Sequence, residues 1–157
     1  FTHLASNSIS LFILTVMLWY FYQNMRYKTL FLLWIIHGIW VWSFARESYH
    51  IGASGIIYGL ASFIFFSGML RKHLNLMALS LLVVFLYGSF VWGVFPQFQI
   101  EKNISWESHL AGALAGVILA FFFQNEGPQR EKYVWEDEEE DENQEEAITE
   151  DFTDEKA

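Results

Sequence analysis

Five long apolar runs, separated by short polar clusters, occupy the first 125 residues of the chain. They cover residues 9–22, 29–45, 51–70, 74–95 and 106–123. A helix needs about 20 residues to cross the ~30 Å hydrocarbon core of a bilayer. The last three runs meet that length, the second is slightly short, and the first meets it if residues 2–8 continue its helix. Because lipid offers no hydrogen bonds to the backbone, such runs must be helical. The pattern predicts an all-α, polytopic membrane protein with five spans.

The composition favours lipid over water as the surroundings of this bundle. Hydrophobic residues make up 54% of the chain and charged residues only 17%, against about 25% charged residues in a soluble domain. Too few polar residues remain to coat a helical bundle in water, which was the alternative fold. The apolar body has no basic stripe, so nucleic acid is not an expected partner. The chain has no cysteine, which excludes disulfides and Cys-based metal or redox sites.

Charge is concentrated at the C-terminal end of the chain. Residues 126–157 hold 15 of the 18 acidic and 3 of the 9 basic residues, a net charge of −12, whereas residues 1–125 carry +3. A segment with so much like charge and so little apolar spacing does not bury enough surface to fold. We therefore expect a transmembrane core over residues 1–124 and an acidic, disordered tail over residues 125–157.

Basic residues in the connections predict the orientation of the spans. One side of the membrane receives six bases and the other receives two, Arg46 and Lys102. The six are Arg26, Lys28, Arg71, Lys72, Arg130 and Lys132. Because basic connections stay in the cytoplasm, the tail is predicted to be cytoplasmic and the N-terminus to lie outside. The chain begins without Met, at the membrane edge, and without the features of a signal peptide, so we expect a further stretch upstream.

Four polar residues interrupt the apolar runs at one depth, about a turn below the outer surface. His3 and Asn7 share a helix face at the outer start of the first run, Ser54 lies at the outer start of the third, and His109 at that of the fifth. A serine hydroxyl becomes a nucleophile when a neutral imidazole accepts its proton. The amide and imidazole of the first run are suitable donors to an oxyanion. All aspartates lie in the tail, so a Ser–His dyad is expected rather than a triad.

Small residues are placed to bring the third and fifth runs together. Both runs carry a small-xxx-small face, which lets helix backbones approach closely in lipid. The glycines are Gly55 and Gly59 in the third run and Gly112 and Gly116 in the fifth. Ser54 and His109 stand beside these faces, so close packing would bring hydroxyl and imidazole together. Tyr58 lies one turn below Ser54 and is placed to stack on His109.

Three sequence elements resemble the signature of the rhomboid intramembrane serine proteases, over roughly residues 1–124. They are His3-x-x-x-Asn7, Gly52-Ala53-Ser54-Gly55 followed by Tyr58 and Gly59, and His109-x-x-Gly112-x-x-x-Gly116. The resemblance implies a rhomboid-like bundle in which Ser54 is the nucleophile and His109 the general base. It implies that His3, Asn7 and the Ser54 amide form the oxyanion hole and that Tyr58 packs on the base.

The same resemblance implies the setting of the reaction. Rhomboid substrates are transmembrane proteins cleaved near their outer ends, without metal or cofactor. The setting implied is the lipid bilayer of a bacterial inner membrane, with the site toward the outer face. Bacterial rhomboids carry a further helix and a long outer loop before the His-x-x-x-Asn element, which strengthens the expectation of an upstream stretch.

Other interpretations of the same residues remain open. An inactive rhomboid-like protein would bind transmembrane helices without cutting them, and a small transporter or channel would use the polar cluster as a solute site. His3, His50 and His109 together would suit a zinc ion with an open position, but this leaves Ser54 unexplained. His37, in the middle of the second run, is expected to be a buried structural histidine hydrogen-bonded to a neighbouring helix. The sequence leaves the oligomeric state open.

Overall fold

The computed structural model of the chain describes residues 2–46, 53–95 and 105–129. In these ranges the regular structure is helical throughout, which confirms the predicted all-α class. The elements are α1 (Thr2–Phe21), α2 (Arg26–Phe44), α3 (Ser54–Arg71), α4 (Leu74–Tyr87), a 3-10 segment (Gly88–Val94) and α5 (Trp106–Phe122).

Three of these helices are long and apolar enough to cross a membrane, namely α1, α2 and α3. Helix α1 begins at Thr2, so the polar stretch at its start does continue the first apolar run. Helices α4 and α5 are apolar but shorter, at 14 and 17 residues. Every charged residue in the described ranges lies at or beyond a helix end, as expected when the helix middles face hydrocarbon.

The fourth apolar run does not form the single long helix that its length suggested. Its α-helix ends at Tyr87, and the chain continues as the 3-10 segment. At 1.5 Å per residue, α4 is about 21 Å long, shorter than the hydrocarbon core. Gly88 and Gly93 explain the change, because each glycine lowers helix stability by about 1 kcal/mol relative to alanine. The 3-10 segment then packs against α5.

Helix α3 forms the centre of the bundle. It contacts each of the other four α-helices, and its contact with α5 is the most extensive in the structure. Of its membrane-length stretch, 61% is buried inside the bundle, against 17% for α1 and 11% for α2. Leu60, Phe63 and Ile64 are fully buried in the resulting core. The first residues of α3 are therefore held from several sides.

Large apolar side chains cover the outside of the bundle. Trp42 is 88% exposed and Phe85 is 85% exposed, and similar side chains line the outer faces of the other helices. A soluble monomer rarely exposes apolar patches of this extent. In a bilayer the same side chains lie against acyl chains and need no protein partner. The surface is that of an integral membrane protein.

Helices α3 and α5 meet backbone to backbone at the predicted glycines. A Cβ atom added to Gly112 would overlap the carbonyl oxygen of Gly55, and one added to Gly116 would overlap that of Gly59. Even a methyl group is too large for either place. The close approach expected from the two small-residue faces is therefore present.

A buried arginine ties together the end of the bundle opposite Ser54. The Arg71 guanidinium donates to the Ser67 hydroxyl and to the carbonyl oxygen of Phe123, and it lies 5.4 Å from the ring centroid of Tyr22. It also contacts the sulfur of Met25. The α1–α2 connection and the C-terminal ends of α3 and α5 therefore share one end, as the alternation of spans predicted. Which membrane face meets this end stays a prediction.

Replacing Gly116 with Ala should destabilise the fold, because the new methyl group would force α3 and α5 apart. We expect a loss of about 1–3 kcal/mol, as for other overpacked positions, measured by thermal unfolding in detergent. Gly38→Ala is the matched control, since nothing lies within 4 Å of a Cβ at that position. The control should be neutral, or more stable by up to about 1 kcal/mol through helix propensity. Equal stability of the two variants would contradict the packing argument.

Candidate active site

Ser54 is the first residue of α3. It therefore lies at the N-terminal end of the helix, where the backbone N–H groups lack partners within the helix. The residue before it, Ala53, provides no side-chain cap. The helix dipole adds partial positive charge at this end. A negative charge that develops beside Ser54 would therefore be stabilised by the backbone. Gly52, from the same sequence element, lies outside the described residues.

His109 lies in the first turn of α5 with only 7% of its surface exposed. Its Nδ1 atom is 2.9 Å from the carbonyl oxygen of Gly93 in the 3-10 segment. Because a carbonyl oxygen only accepts hydrogen bonds, Nδ1 carries the proton in this contact. In a neutral ring Nε2 is then the acceptor. This is the tautomer that a general base requires when the proton arrives at Nε2.

Tyr58 holds the ring of His109 from its flat side. The two rings are stacked, with centroids 4.2 Å apart and planes 6° from parallel. The stacking contact expected from the sequence is therefore present, and it joins α3 to α5 one turn from Ser54. The imidazole is fixed both by a face contact and by a hydrogen bond in its plane.

Gly93 contributes to the site although no motif or spacing in the sequence pointed to it. A Cβ atom added there would overlap the Tyr58 hydroxyl and would lie 3.4 Å from Nδ1 of His109. Glycine therefore lets the 3-10 segment reach both rings. Nothing near Gly93 in the sequence signals this role, because the contact depends on how the segment after α4 folds back.

Ser54 and His109 are brought to neighbouring helix ends by the crossing of α3 and α5 at Gly55 and Gly112. The hydrogen bonds of the described residues do not include one between the Ser54 hydroxyl and the His109 ring. Their proximity rests on helix packing. Catalytic hydrogen bonds are often long in enzymes without substrate and tighten when it binds. The roles of both residues stay predictions.

The predicted oxyanion residues lie on α1, which packs against α3. Asn7 is half-buried, and His3 lies one turn before it on the same helix face. The His3 side chain and all of His50 lie outside what the structure describes, so the zinc alternative with His109 is not tested. Among the described residues, no group of three His, Asp or Glu side chains is placed to hold a metal ion.

A polar contact between α2 and α5 lies directly behind the start of α3. His37 Nε2 is 2.9 Å from the Ser108 hydroxyl oxygen, and a Cβ added to Gly55 would run into both groups. Ser108 also donates its backbone N–H to the Ser105 hydroxyl oxygen at 3.2 Å, which caps α5. The expected hydrogen bond of His37 to a neighbouring helix is confirmed, although the residue is half-buried rather than buried. Its partner, Ser108, adjoins His109.

His37→Leu should destabilise the bundle, because it leaves the buried Ser108 hydroxyl without this partner. The expected loss is about 1–3 kcal/mol, the usual cost of a buried polar group that loses its hydrogen bond. Thermal unfolding of His37→Leu, Ser108→Ala and the double variant in detergent forms a double-mutant cycle. We expect the double variant to lose less stability than the two single variants together. Strict additivity would show that the contact contributes nothing.

Curated relatives of the chain occur in mycobacteria. Uncharacterized proteins of Mycobacterium bovis and Mycobacterium tuberculosis are each 31% identical to it over 135 residues, which cover 82% of this chain and 55% of theirs. An uncharacterized protein of Mycobacterium leprae is 29% identical over 136 residues, or 82% of this chain and 52% of its own. The chain thus spans about half the length of the curated relatives it matches. No solved structure matches the chain.

A comparison with models of protein families identifies the family to which the chain belongs. A model described as Rhomboid domain matches residues 1–126, which include every helix described above. This range covers the α3–α5 crossing, the stacked rings of Tyr58 and His109, and the apolar outer surface. The chain is therefore an integral membrane protein that belongs to the rhomboid family.

Proposed function

We propose that the chain is an intramembrane serine endopeptidase that hydrolyses peptide bonds in or beside transmembrane segments, through an acyl-enzyme on Ser54. The observation that carries the proposal is the fixed state of His109. Its ring is clamped by Tyr58 and by the Gly93 carbonyl oxygen. The tautomer selected by that carbonyl has Nε2 as the acceptor that a serine hydroxyl needs. Family membership supports the same function.

In the first step, Ser54 Oγ attacks the carbonyl carbon of the scissile peptide bond while its proton moves to Nε2 of His109. The resulting oxyanion accepts hydrogen bonds from the Ser54 backbone N–H and from the side chains of His3 and Asn7. Collapse of the tetrahedral intermediate breaks the C–N bond, and His109 gives its proton to the leaving amine. A water molecule, deprotonated by the same imidazole, then attacks the ester carbonyl. The ester C–O bond breaks, and His109 returns the proton to Ser54 Oγ.

The surroundings of Tyr58 support an apolar substrate. A cavity of about 350 Å³ lies between α3, α4, the 3-10 segment and α5. Its wall is mainly apolar and includes Tyr58, Phe65, Val83, Tyr87, Val91 and Val94. A side chain of a transmembrane substrate would bury apolar surface there beside the base. The chemistry uses serine, imidazole and backbone groups and the Asn7 amide, so the proposal needs no metal or cofactor.

A fluorophosphonate probe tests the nucleophile directly, since it labels only activated serines. We expect the purified chain to be labelled and Ser54→Ala to be unlabelled. His109→Ala should be labelled at least about a hundredfold more slowly, the scale of a lost general base. Ser62→Ala, which removes another hydroxyl from α3, is the matched control and should be labelled like the wild type.

The result of the labelling experiment also decides between the proposed protease and an inactive rhomboid-like protein. A chain that is folded, as judged by its cooperative thermal unfolding, yet takes up no probe would overturn the proposed activity. It would favour a protein that binds transmembrane helices without cutting them. Equal labelling of the wild type and Ser54→Ala would place the reactive serine elsewhere.

The rate of labelling should fall as the pH is lowered, because a protonated imidazole no longer accepts the proton of Ser54. Imidazoles titrate between about pH 5 and 8, so the loss is expected on acidification through that range. His37 is another imidazole near the site, bonded to Ser108, and His37→Gln is the control that removes it. This variant should keep the shape of the wild-type profile. A profile that stays flat through the range would contradict the role of His109.

A further inference from the structure

A second groove runs along the bundle on the side of α5 away from Tyr58. It lies between the C-terminal half of α2 and the N-terminal half of α5 and has a volume of about 220 Å³. Apolar and aromatic side chains form most of its wall, namely Trp40, Val41, Phe44, Trp106, Leu110 and Leu114. Phe44 and Leu114 are exposed on the outer surface, so the groove opens toward the surrounding lipid.

An ion pair stands at the mouth of this groove, at the end of the bundle that carries Ser54. The Arg46 Nε atom lies 3.1 Å from Oε1 of Glu107, so the pair joins the end of α2 to the first turn of α5. The Arg46 side chain is 48% exposed, whereas that of Glu107 is only 13% exposed. The acid is thus turned inward, and it lines the groove together with Trp40 and Trp106.

The second carboxylate oxygen of Glu107 is buried and lacks a hydrogen-bond partner among the described residues. A buried charged oxygen without a donor is unfavourable, because burial removes its hydration and no hydrogen bond replaces it. A ligand with a positively charged N–H donor would supply the missing hydrogen bond to this oxygen. The neighbouring indole rings favour a cation as well.

We propose that the groove binds one phospholipid whose headgroup ends in a primary ammonium group. The ammonium N–H groups donate to Oε2 of Glu107, the phosphate lies toward the exposed guanidinium of Arg46, and part of an acyl chain fills the apolar groove. Charge complementarity supports this occupant, since a zwitterionic headgroup matches a cation and an anion placed side by side. The proposal goes beyond proteolysis and does not depend on whether Ser54 is reactive.

The position of the ion pair favours a lipid over a soluble amine. The apolar part of the groove lies on the outer surface of two membrane helices, where water-soluble ligands do not reach. A phospholipid keeps its headgroup at a helix end and its chains along the helix, as the groove and the ion pair are arranged. Phosphatidylcholine would lack the essential contact, because its quaternary ammonium has no N–H to donate.

Native mass spectrometry of the purified full chain tests the proposal. The chain is titrated with an equimolar mixture of phosphatidylethanolamine, phosphatidylcholine and phosphatidylglycerol that have identical acyl chains. We expect the one-lipid complex to contain phosphatidylethanolamine at least about tenfold more often than either other lipid, the scale of one hydrogen bond to a charged group. Complexes that mirror the equimolar mixture would overturn the proposal.

Two variants separate headgroup recognition from occupation of the groove. Glu107→Gln removes the charge and should bring the preference for phosphatidylethanolamine to within about twofold of the other lipids. Ala111→Leu fills the groove, whereas Ala113→Leu, the matched control, points into the cavity beside Tyr58. The first leucine should abolish the retained lipid and the second should not. A preference that survives Glu107→Gln, or equal effects of the two leucines, would contradict the assignment.

Discussion

The backbone contact between α3 and α5 is the constraint on which the rest of the structure depends. The backbone carbonyls of Gly55 and Gly59 leave no space for a side chain at Gly112 or Gly116. In lipid there is little hydrophobic force between helices, so close contact and hydrogen bonds must hold them together. The same contact sets the distance between the start of α3 and the first turn of α5. Among the described residues no hydrogen bond joins the side chains of Ser54 and His109, so this helix contact is what places their two helix ends beside each other.

A second consequence of this close approach is the polar contact behind it. Only because Gly55 lacks a side chain do His37 and Ser108 meet across it, at 2.9 Å. The contact anchors α2 to the turn that carries His109. Two sets of contacts therefore hold the first turn of α5, which carries His109. One is the packing of the glycines, and the other is the hydrogen bond between His37 and Ser108. At the other end of the helices, Arg71 of α3 donates to the carbonyl oxygen of Phe123 at the end of α5 and contacts the sulfur of Met25 just before α2.

The sequence predicted the helical class, the starts of α4 and α5, the glycine crossing and the stack of Tyr58 on His109. These features follow from local rules: the length of apolar runs, the four-residue spacing of small residues, and the shared face of residues one turn apart. It did not predict that α4 would end at Tyr87 or that Gly93 would reach the base. The end of α4 agrees with the low helix propensity of Gly88 and Gly93, which the length of the apolar run concealed. The contact of Gly93 with His109 depends on how the segment folds back across the bundle, which no spacing in the sequence specifies.

The position of Gly93 makes the state of the base depend on the segment after α4. Its carbonyl oxygen fixes the proton on Nδ1, and its missing side chain admits the Tyr58 hydroxyl. The 3-10 segment is continuous with α4, whose outer face is exposed to lipid. The α3–α5 pair is fixed by backbone contacts at two glycine positions of α5, whereas the close backbone contact of α4 with α3, between Leu76 and Gly68, lies at the end of α4 away from the 3-10 segment. The stacking contact on His109 therefore comes from the helix pair that is held at two glycine positions, whereas its hydrogen bond comes from the segment that follows the far end of α4.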